Sequence, residues 1–487
     1  MTDPHAPSAD LAYLSVAEIE GRLAAGTLTS LALVSALLER IAAIDAPHSP
    51  VALRAIAALA PDALEVAAER DAERRDGRVR GALHGIPVVI KDNVEAIGLP
   101  GTAGSTALLG RPAREAPLVA RLREAGAILL ASTNLSQWAN IRSVRSTSGW
   151  SATGGLVGNP WALDRSAGGS SSGSGAALAA GLAPLAVGTE TDGSIVCPAS
   201  VCGVVGLKPT IGVVPATHVV PISASQDSPG PLGRRVDDVA RMFGVLSASD
   251  PTPERSLRFA VATSWRTDHP ATDDLFDAIV AALRAAGHDV IDRDVAAPGE
   301  AEGQDELTVL LAELHDDLSD YLARRPGEGV KSLAEVIAWE NDHAASELAH
   351  FGHDLFDMAL ATGGRAGEAY EAARRRNLAW AIDTCLQPAL DGVDVLLAPA
   401  YGPSWKSDLA VGGHPGPASA ATMPAAIAGW PIMNVPIGLV HGLPVGLAIL
   451  GRAHDEWTVL AAGRVIEALV DARGPLGRPT WEVPTRG

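Results

Sequence analysis

Gly85-Ile-Pro-Val-Val-Ile-Lys91-Asp-Asn93 is a short β-branched run bounded by glycine and aspartate, and it reads as a buried strand that delivers a lysine at its end. A lysine carried by an apolar strand is set to be desolvated, and it needs an explanation. Downstream, Ala167-Gly-Gly-Ser-Ser-Ser-Gly-Ser-Gly175 opens directly into Ala176-Ala-Leu-Ala-Ala180, which reads as an Ala-rich helix. Gly188-Thr-Glu-Thr-Asp-Gly-Ser194 follows and leads into Ile195 and Val196. Gly/Ser tracts are commonly flexible linkers, but one set between ordered runs shapes backbone instead.

Outward from these segments the pattern alternates helix and strand. Leu11 to about Ala46 reads as two helices joined at Gly26–Ser30, with Ser15 and Thr29 or Ser30 as caps. Ala127 to Ala131 reads as a second apolar strand, and Ser132-Thr-Asn-Leu135 has the polar residues of a helix start. Thr272 to Ala286 repeats apolar residues at helical spacing, with Gly287 as the residue past its end and a strand at His288-Asp-Val-Ile291. Pro298 to about Gly367 is acidic and helical, an insertion placed to shape a pocket, and strand signals resume at Val393-Asp-Val-Leu-Leu-Ala398.

No internal repeat and no linker divides the chain, so its 487 residues are expected to form one α/β domain. The expected architecture is a single large mixed β-sheet core flanked by helices on both faces. A helical N-terminal wrap would cover about 11–70, the core about 81–250, the helical insertion about 298–367 and the C-terminal part of the core about 390–470.

Charge narrows the partners. Fifty-seven acidic against 38 basic side chains give a net charge of −19, which repels phosphate backbones and anionic membrane surfaces, so nucleic acid and membrane are not expected partners. Residues 1–10, MTDPHAPSAD, lack a basic and an apolar signal region, and the stretch Ala176 to Gly188 is too short to span a bilayer. Three cysteines (Cys197, Cys202, Cys385) provide no disulfide framework and fit a cytoplasmic location. Thirteen dispersed histidines without a His-Glu-x-x-His motif, and Cys197 and Cys202 without a matching second pair, give no metal site; no cofactor is expected.

Taken together, the strand-end lysine, the Gly-Gly-Ser-Ser loop and the loop closing at Ser194 resemble the amidase signature family, whose fold is the mixed sheet described above. The resemblance extends from Gly85 through Pro209 and again from Ala426 through Ala461, where Gly429-Trp-Pro-Ile-Met-Asn-Val-Pro-Ile-Gly438 and Gly442-Leu-Pro-Val-Gly-Leu447 match its C-terminal pattern. It implies Ser194 as nucleophile, Ser170 as bridging serine after a cis peptide bond, and Lys91 as base. The family loop commonly reads Thr-Asp-Thr-Gly-Gly-Ser; here Glu190 and Asp192 replace the Asp and the first Gly, and Val196 stands where Arg is frequent.

That assignment makes chemical sense. A serine hydroxyl is a weak nucleophile until a positioned base takes its proton, and a lysine does so only when burial lowers its pKa from about 10.4 toward neutrality. Ser170 would relay the proton, taking one from Ser194 while giving its own to Lys91. Backbone N–H groups of Thr191, Asp192, Gly193 and Ser194 are expected to receive the developing oxyanion. Thr189, Ser171 and Gly169 are expected to support them, and Lys208 to be structural. Trp138, Trp150 and Trp430 either line an apolar acyl pocket or pack in the core.

Rival readings are weaker. Gly169-Ser-Ser-Ser-Gly173 also fits a nucleophile elbow centred on Ser171, but His414 and His454 sit in no recognisable context for it. The Gly-rich loop lacks the lysine and hydroxyl pair of a nucleotide-binding loop.

Within the family, Thr133-Asn-Leu-Ser-Gln-Trp-Ala-Asn140, Ser148-Gly-Trp-Ser-Ala152, Gly188 to Pro198 and Pro221-Ile-Ser-Ala-Ser-Gln-Asp-Ser228 look like the bacterial peptide amidase branch. This implies a peptide C-terminal amide or a small aryl or alkyl amide as substrate, acting in a monomer or homodimer. Carbamates, esters or hydrazides would use the same attack. A reading of another class is the glutamine-amidase component of a tRNA-dependent transamidation complex, against which the acidic charge argues.

Overall fold

The computed structural model describes residues 11–49, 51–111, 113–253, 255–412, 416–474 and 476–479. The N-terminal segment 1–10 and His414 lie outside them.

Eleven strands form one mixed sheet: β1 (Ile56–Leu59), β2 (Pro87–Lys91), β3 (Ile128–Thr133), β4 (Leu185–Glu190), β5 (Val205–Lys208), β6 (Ser228–Gly233), β7 (Arg258–Ala262), β8 (Asp289–Arg293), β9 (Val395–Pro399), β10 (Ile432–Val440) and β11 (Leu443–Leu450). Their order across the sheet is β1-β3-β2-β4-β6-β5-β10-β11-β9-β7-β8. β2 runs parallel to both β3 and β4, so Lys91 and Glu190 emerge at the same edge of the sheet. β6 returns antiparallel beside β4, pairing Ser228 with Glu190. Three segments far apart in sequence thus end or begin at one place.

Helices cover both faces. They include α1 (Val16–Ala24), α2 (Ser30–Ile44), α3 (Ala63–Arg75), α4 (Ser172–Ala179), α5 (Val196–Cys202), α6 (Val236–Ser247), α7 (Pro270–Ala285), α8 (Glu300–Arg324) and α9 (Glu456–Arg473). Alternate residues of one strand enter different cores, because successive side chains point to opposite sides of a pleated strand. Val395, Leu397, Met433 and Val445 pack with α6, α7 and α9, whereas Leu396, Ala398, Ile432 and Ala448 pack with Ala421 and Ala425 on the other side. In β2, Val88, Val89 and Ile90 are all fully buried, each stabilising the fold by about 1.5–3 kcal/mol.

Local signals hold at the N-terminus. Ser15 caps α1 in a capping box with Glu18, and the Thr29 side chain caps α2. α7 ends at Ala285 with Gly287 at φ +87°, and β8 follows. The acidic segment 300–378 is helical, through α8 and the helices Leu333–Asp342, Asp354–Thr362 and Glu368–Leu378.

One expectation fails. Ser132 and Thr133 do not start a helix but finish β3, and only a short 3-10 turn, Gln137–Asn140, follows, with Trp138 and Ala139 in left-handed backbone. The reason lies in tertiary pairing: Thr133 pairs with Lys91 of β2, and the Asn134 side chain satisfies the Arg54 and Gly155 carbonyls instead of capping a helix.

Candidate active site

Lys91 is fully buried at the end of β2. Its Nζ donates to Ser170 Oγ at 2.7 Å, to Thr189 Oγ1 at 2.8 Å and to the Thr189 carbonyl at 3.1 Å. Burial holds this amine down to about 7, against the opposing fields of Asp227 and Glu190. An amine poised there exchanges its proton near neutral pH.

The Gly/Ser tract shapes the backbone around that amine. The Gly169–Ser170 peptide bond is cis. A Cβ on Gly168, at φ +70°, would meet Val201, Cys197 and Pro198, so glycine is needed there, and one on Gly169 would fall 2.4 Å from Ser136 Oγ, which would have to move. Ser171 N–H donates to the Ser194 carbonyl at 3.1 Å, which fastens the Ser170 loop to the Ser194 loop. The Ser171 hydroxyl is spent on β4, donating to the Thr189 carbonyl and accepting the Thr189 N–H. Buried and doubly bonded, it has no freedom to act as the nucleophile of an elbow.

Ser194 differs from both serines. It is 8% exposed, and its Oγ has no hydrogen-bond partner among the described residues. The structure therefore joins Lys91, Ser170 and Thr189 by formed bonds and brings Ser194 alongside through backbone, leaving its hydroxyl free. Catalytic hydrogen bonds are often loose before substrate arrives and tighten in the complex.

Of the two acidic replacements in the loop, Asp192 is half-buried, whereas Glu190 is buried and organises backbone. Glu190 Oε2 accepts the N–H groups of Ile195 at 2.7 Å and Val196 at 2.9 Å, the entrance to α5. The Gly193 N–H also faces this carboxylate. The Thr191, Asp192 and Ser194 amides have no acceptor among the described residues. Burial raises the Asp192 carboxyl to about 6, and Lys208, fully buried, is held down to about 8 by burial. Lys208 Nζ donates to the Pro209 carbonyl at 3.3 Å.

The three tryptophans have separate packing partners. Trp138 is buried with its indole N–H on Glu340 at 3.0 Å, and Trp150 is buried edge-on against His350 and Phe351. Trp430 packs on the core cluster that contains Val196 and Ala425. Helix 333–342 and the turn around Phe351 supply the partners of the first two, and Trp138 also lies beside Asn93 and Pro221. A cleft of about 450 Å³ opens beside Thr189, the partner of Lys91, walled by Asn93, Thr189, Thr191, Pro221, Ile222 and Asp227 among others. Asn93, whose Nδ2 donates to Thr189 Oγ1 at 3.0 Å, and Asp227 are not singled out by the sequence. The signal for both was present, as neighbours of Lys91 and members of the Pro221–Ser228 stretch.

All three cysteines are buried and free, and no cluster of His, Cys, Asp and Glu that could hold a metal occurs among the described residues. No helix among them is long and apolar enough to cross a membrane.

Comparison with known proteins gives this arrangement its class, an amidase. A family model described as Amidase matches residues 32–460, and the chain belongs to the amidase signature family. The peptide amidase from Stenotrophomonas maltophilia shares its structure with a TM-score of 0.89 at 40% identity, covering 98% of this chain and 100% of that one. "Probable amidase At4g34880" of Arabidopsis thaliana is 35% identical, over 92% of this chain and 88% of its own length. A glutamyl-tRNA(Gln) amidotransferase subunit of Chloroflexus aurantiacus is 32% identical, over 95% and 98%.

Proposed function

We propose that this amidase hydrolyses a carboxamide C–N bond through an acyl-enzyme on Ser194. The observation that carries the reading is the 2.7 Å bond between a wholly buried Lys91 and Ser170. A neutral Lys91 takes the Ser170 proton as Ser170 takes the Ser194 proton, and Ser194 Oγ attacks the carbonyl. The N–H groups of Thr191, Asp192, Gly193 and Ser194 receive the oxyanion; Thr191, Asp192 and Ser194 are uncommitted, and one such donor is worth about 2.7–4 kcal/mol. The proton then returns through Ser170 to the leaving amine, and water activated by the same pair releases the acid.

The substrate class we assign is a peptide C-terminal amide or a small aryl or alkyl amide, supported by likeness to the Stenotrophomonas maltophilia enzyme. Carbamates, esters and hydrazides are the alternatives for the same site. A second reading, the glutamine-amidase component of a transamidation complex, is favoured by the Chloroflexus aurantiacus relative and opposed by the net charge of −19.

A panel of peptide amides, anilides, simple amides, carbamates, esters and glutamine, assayed with wild type and Ser194→Ala, tests this. Turnover of a peptide or simple amide, lost in Ser194→Ala, is the expected result. Unchanged turnover in Ser194→Ala would remove the nucleophile assignment, and glutamine as sole substrate would favour the second reading.

A further inference from the structure

The stretch Pro221–Ser228 has no part in the chemistry above, yet it links two regions. On its outer side it is tied to α8: Ser223 Oγ and Ser225 N–H donate to Glu313 at 2.5 and 3.0 Å, Ala224 N–H to Asp317 at 2.8 Å, and Gln226 Nε2 to Glu306 at 2.9 Å. On its inner side Asp227 turns toward the loop that ends at Ser194. Asp227 Oδ1 accepts the Thr191 hydroxyl at 2.6 Å, while Oδ2 accepts the N–H groups of Ile222 at 2.8 Å and Ser223 at 3.0 Å. With Thr189 and Thr191 it walls the cleft.

We propose that Asp227 is a positioning residue for the reaction: it pins Thr191 at the start of the nucleophile loop and presents its carboxylate to the cleft walled by Thr189, the partner of Lys91. The proposal rests on the reading of Lys91 as base and Ser194 as nucleophile.

Three donors on one carboxylate fix its direction, and the short bond to Thr191 in turn fixes the side chain of the first loop residue. Thr191 contributes one of the uncommitted amides, and misplacing a reacting or stabilising group by about 1 Å costs on the order of a hundredfold. The charge acts separately. Asp227 is the largest of the neighbouring charges raising the Lys91 affinity for a proton, with Glu190 of β4 second. Asp317 of α8 faces Asp227, and Arg114, His218, Asp320 and Arg324 line the same cleft. Burial pushes the Asp227 carboxyl up to about 7, so it and Lys91 titrate in one window and the acidic limb of activity belongs to the pair. An ionised Asp227 favours the protonated amine; without it, Lys91 sheds its proton at lower pH.

Asp227→Asn, Thr191→Val and Thr191→Ser are compared with wild type by kcat, KM and the pH profile of kcat/KM on an amide cleaved in the panel. Asp227→Asn is expected to lower kcat by about tenfold or more and move the acidic limb to lower pH by roughly one unit. Thr191→Val is expected to lower kcat by about tenfold with the limb in place, and Thr191→Ser to restore it. An unmoved limb in Asp227→Asn, or wild-type kcat in Thr191→Val, overturns the proposal. Should Asp227→Asn fail to fold, Thr191→Val against Thr191→Ser decides it. Ser194→Ala run alongside separates the two readings: activity surviving there strikes the nucleophile assignment, whereas activity lost there with the Asp227→Asn limb unmoved strikes the role of Asp227 alone.

Discussion

Glu190 Oε2 lies 2.7 Å from the Ile195 amide nitrogen and also holds the next amide, that of Val196, so the acid closing β4 secures the backbone on the far side of Ser194. A carboxylate at a helix entrance satisfies donors that have no partner within the helix and interacts favourably with its dipole.

Removal of that side chain leaves two buried N–H groups unpaired, at about 1–3 kcal/mol each. Glu190→Ala is therefore expected to lower both the thermal midpoint and kcat. Glu190→Gln keeps an acceptor and should fall between it and wild type in denaturation and steady-state assays.

The amine of Lys91, held down to about 7 by burial, predicts an acidic limb near pH 7 in kcat/KM: activity falls as pH drops and the base is protonated. Lys91→Ala should lose several orders of magnitude in kcat/KM and lose this limb. A limb retained in residual Lys91→Ala activity would show that Asp227, or another base, carries it.

The same amine links stability to pH. Its folded pKa lies below the unfolded value of 10.5, so the unfolded chain binds one more proton between pH 7 and 10.5, and the wild type loses stability as pH falls through that window. Lys91→Met removes this linkage. Its thermal midpoint relative to wild type should rise between pH 9.5 and pH 7, by the equivalent of about 3 kcal/mol as an upper bound; a gap that stays constant with pH would contradict a depressed amine.

Gly193 sits at φ +73°, and a Cβ there would stand 2.7 Å from Tyr401 Oη. Gly193→Ala should combine left-handed backbone strain of about 1–2 kcal/mol with this clash and cut kcat sharply. Tyr401→Phe removes the clashing oxygen and should recover part of the loss in a double-mutant cycle. Full additivity of the two substitutions would contradict the contact.

Much of this fold is legible locally. A β-branched run, a polar cap before a helix and a glycine past its end act through neighbours within a few residues, so β2, α1, α2 and α7 follow from pattern, while α4 starts at Ser172, inside the Gly/Ser tract and ahead of the Ala-rich run. The failed helix after Ser132 shows the limit: its polar residues have helix-cap chemistry, but strand pairing to Lys91 claims Thr133 first.

The same division holds at the site. The resemblance of their motifs, in this order, to the amidase signature family singles out Lys91, Ser170 and Ser194, since each residue alone has common structural uses. What packing alone decides is that Lys91 is sealed from water, that Ser171 is bonded away while the Ser194 hydroxyl stays free, that Trp138 and Trp150 pack under the helical segment, and that Asp227 reaches Thr191 from the loop that enters the antiparallel β6. Burial and electric field are sums over atoms brought together from distant parts of the chain, and no local stretch of residues contains that sum.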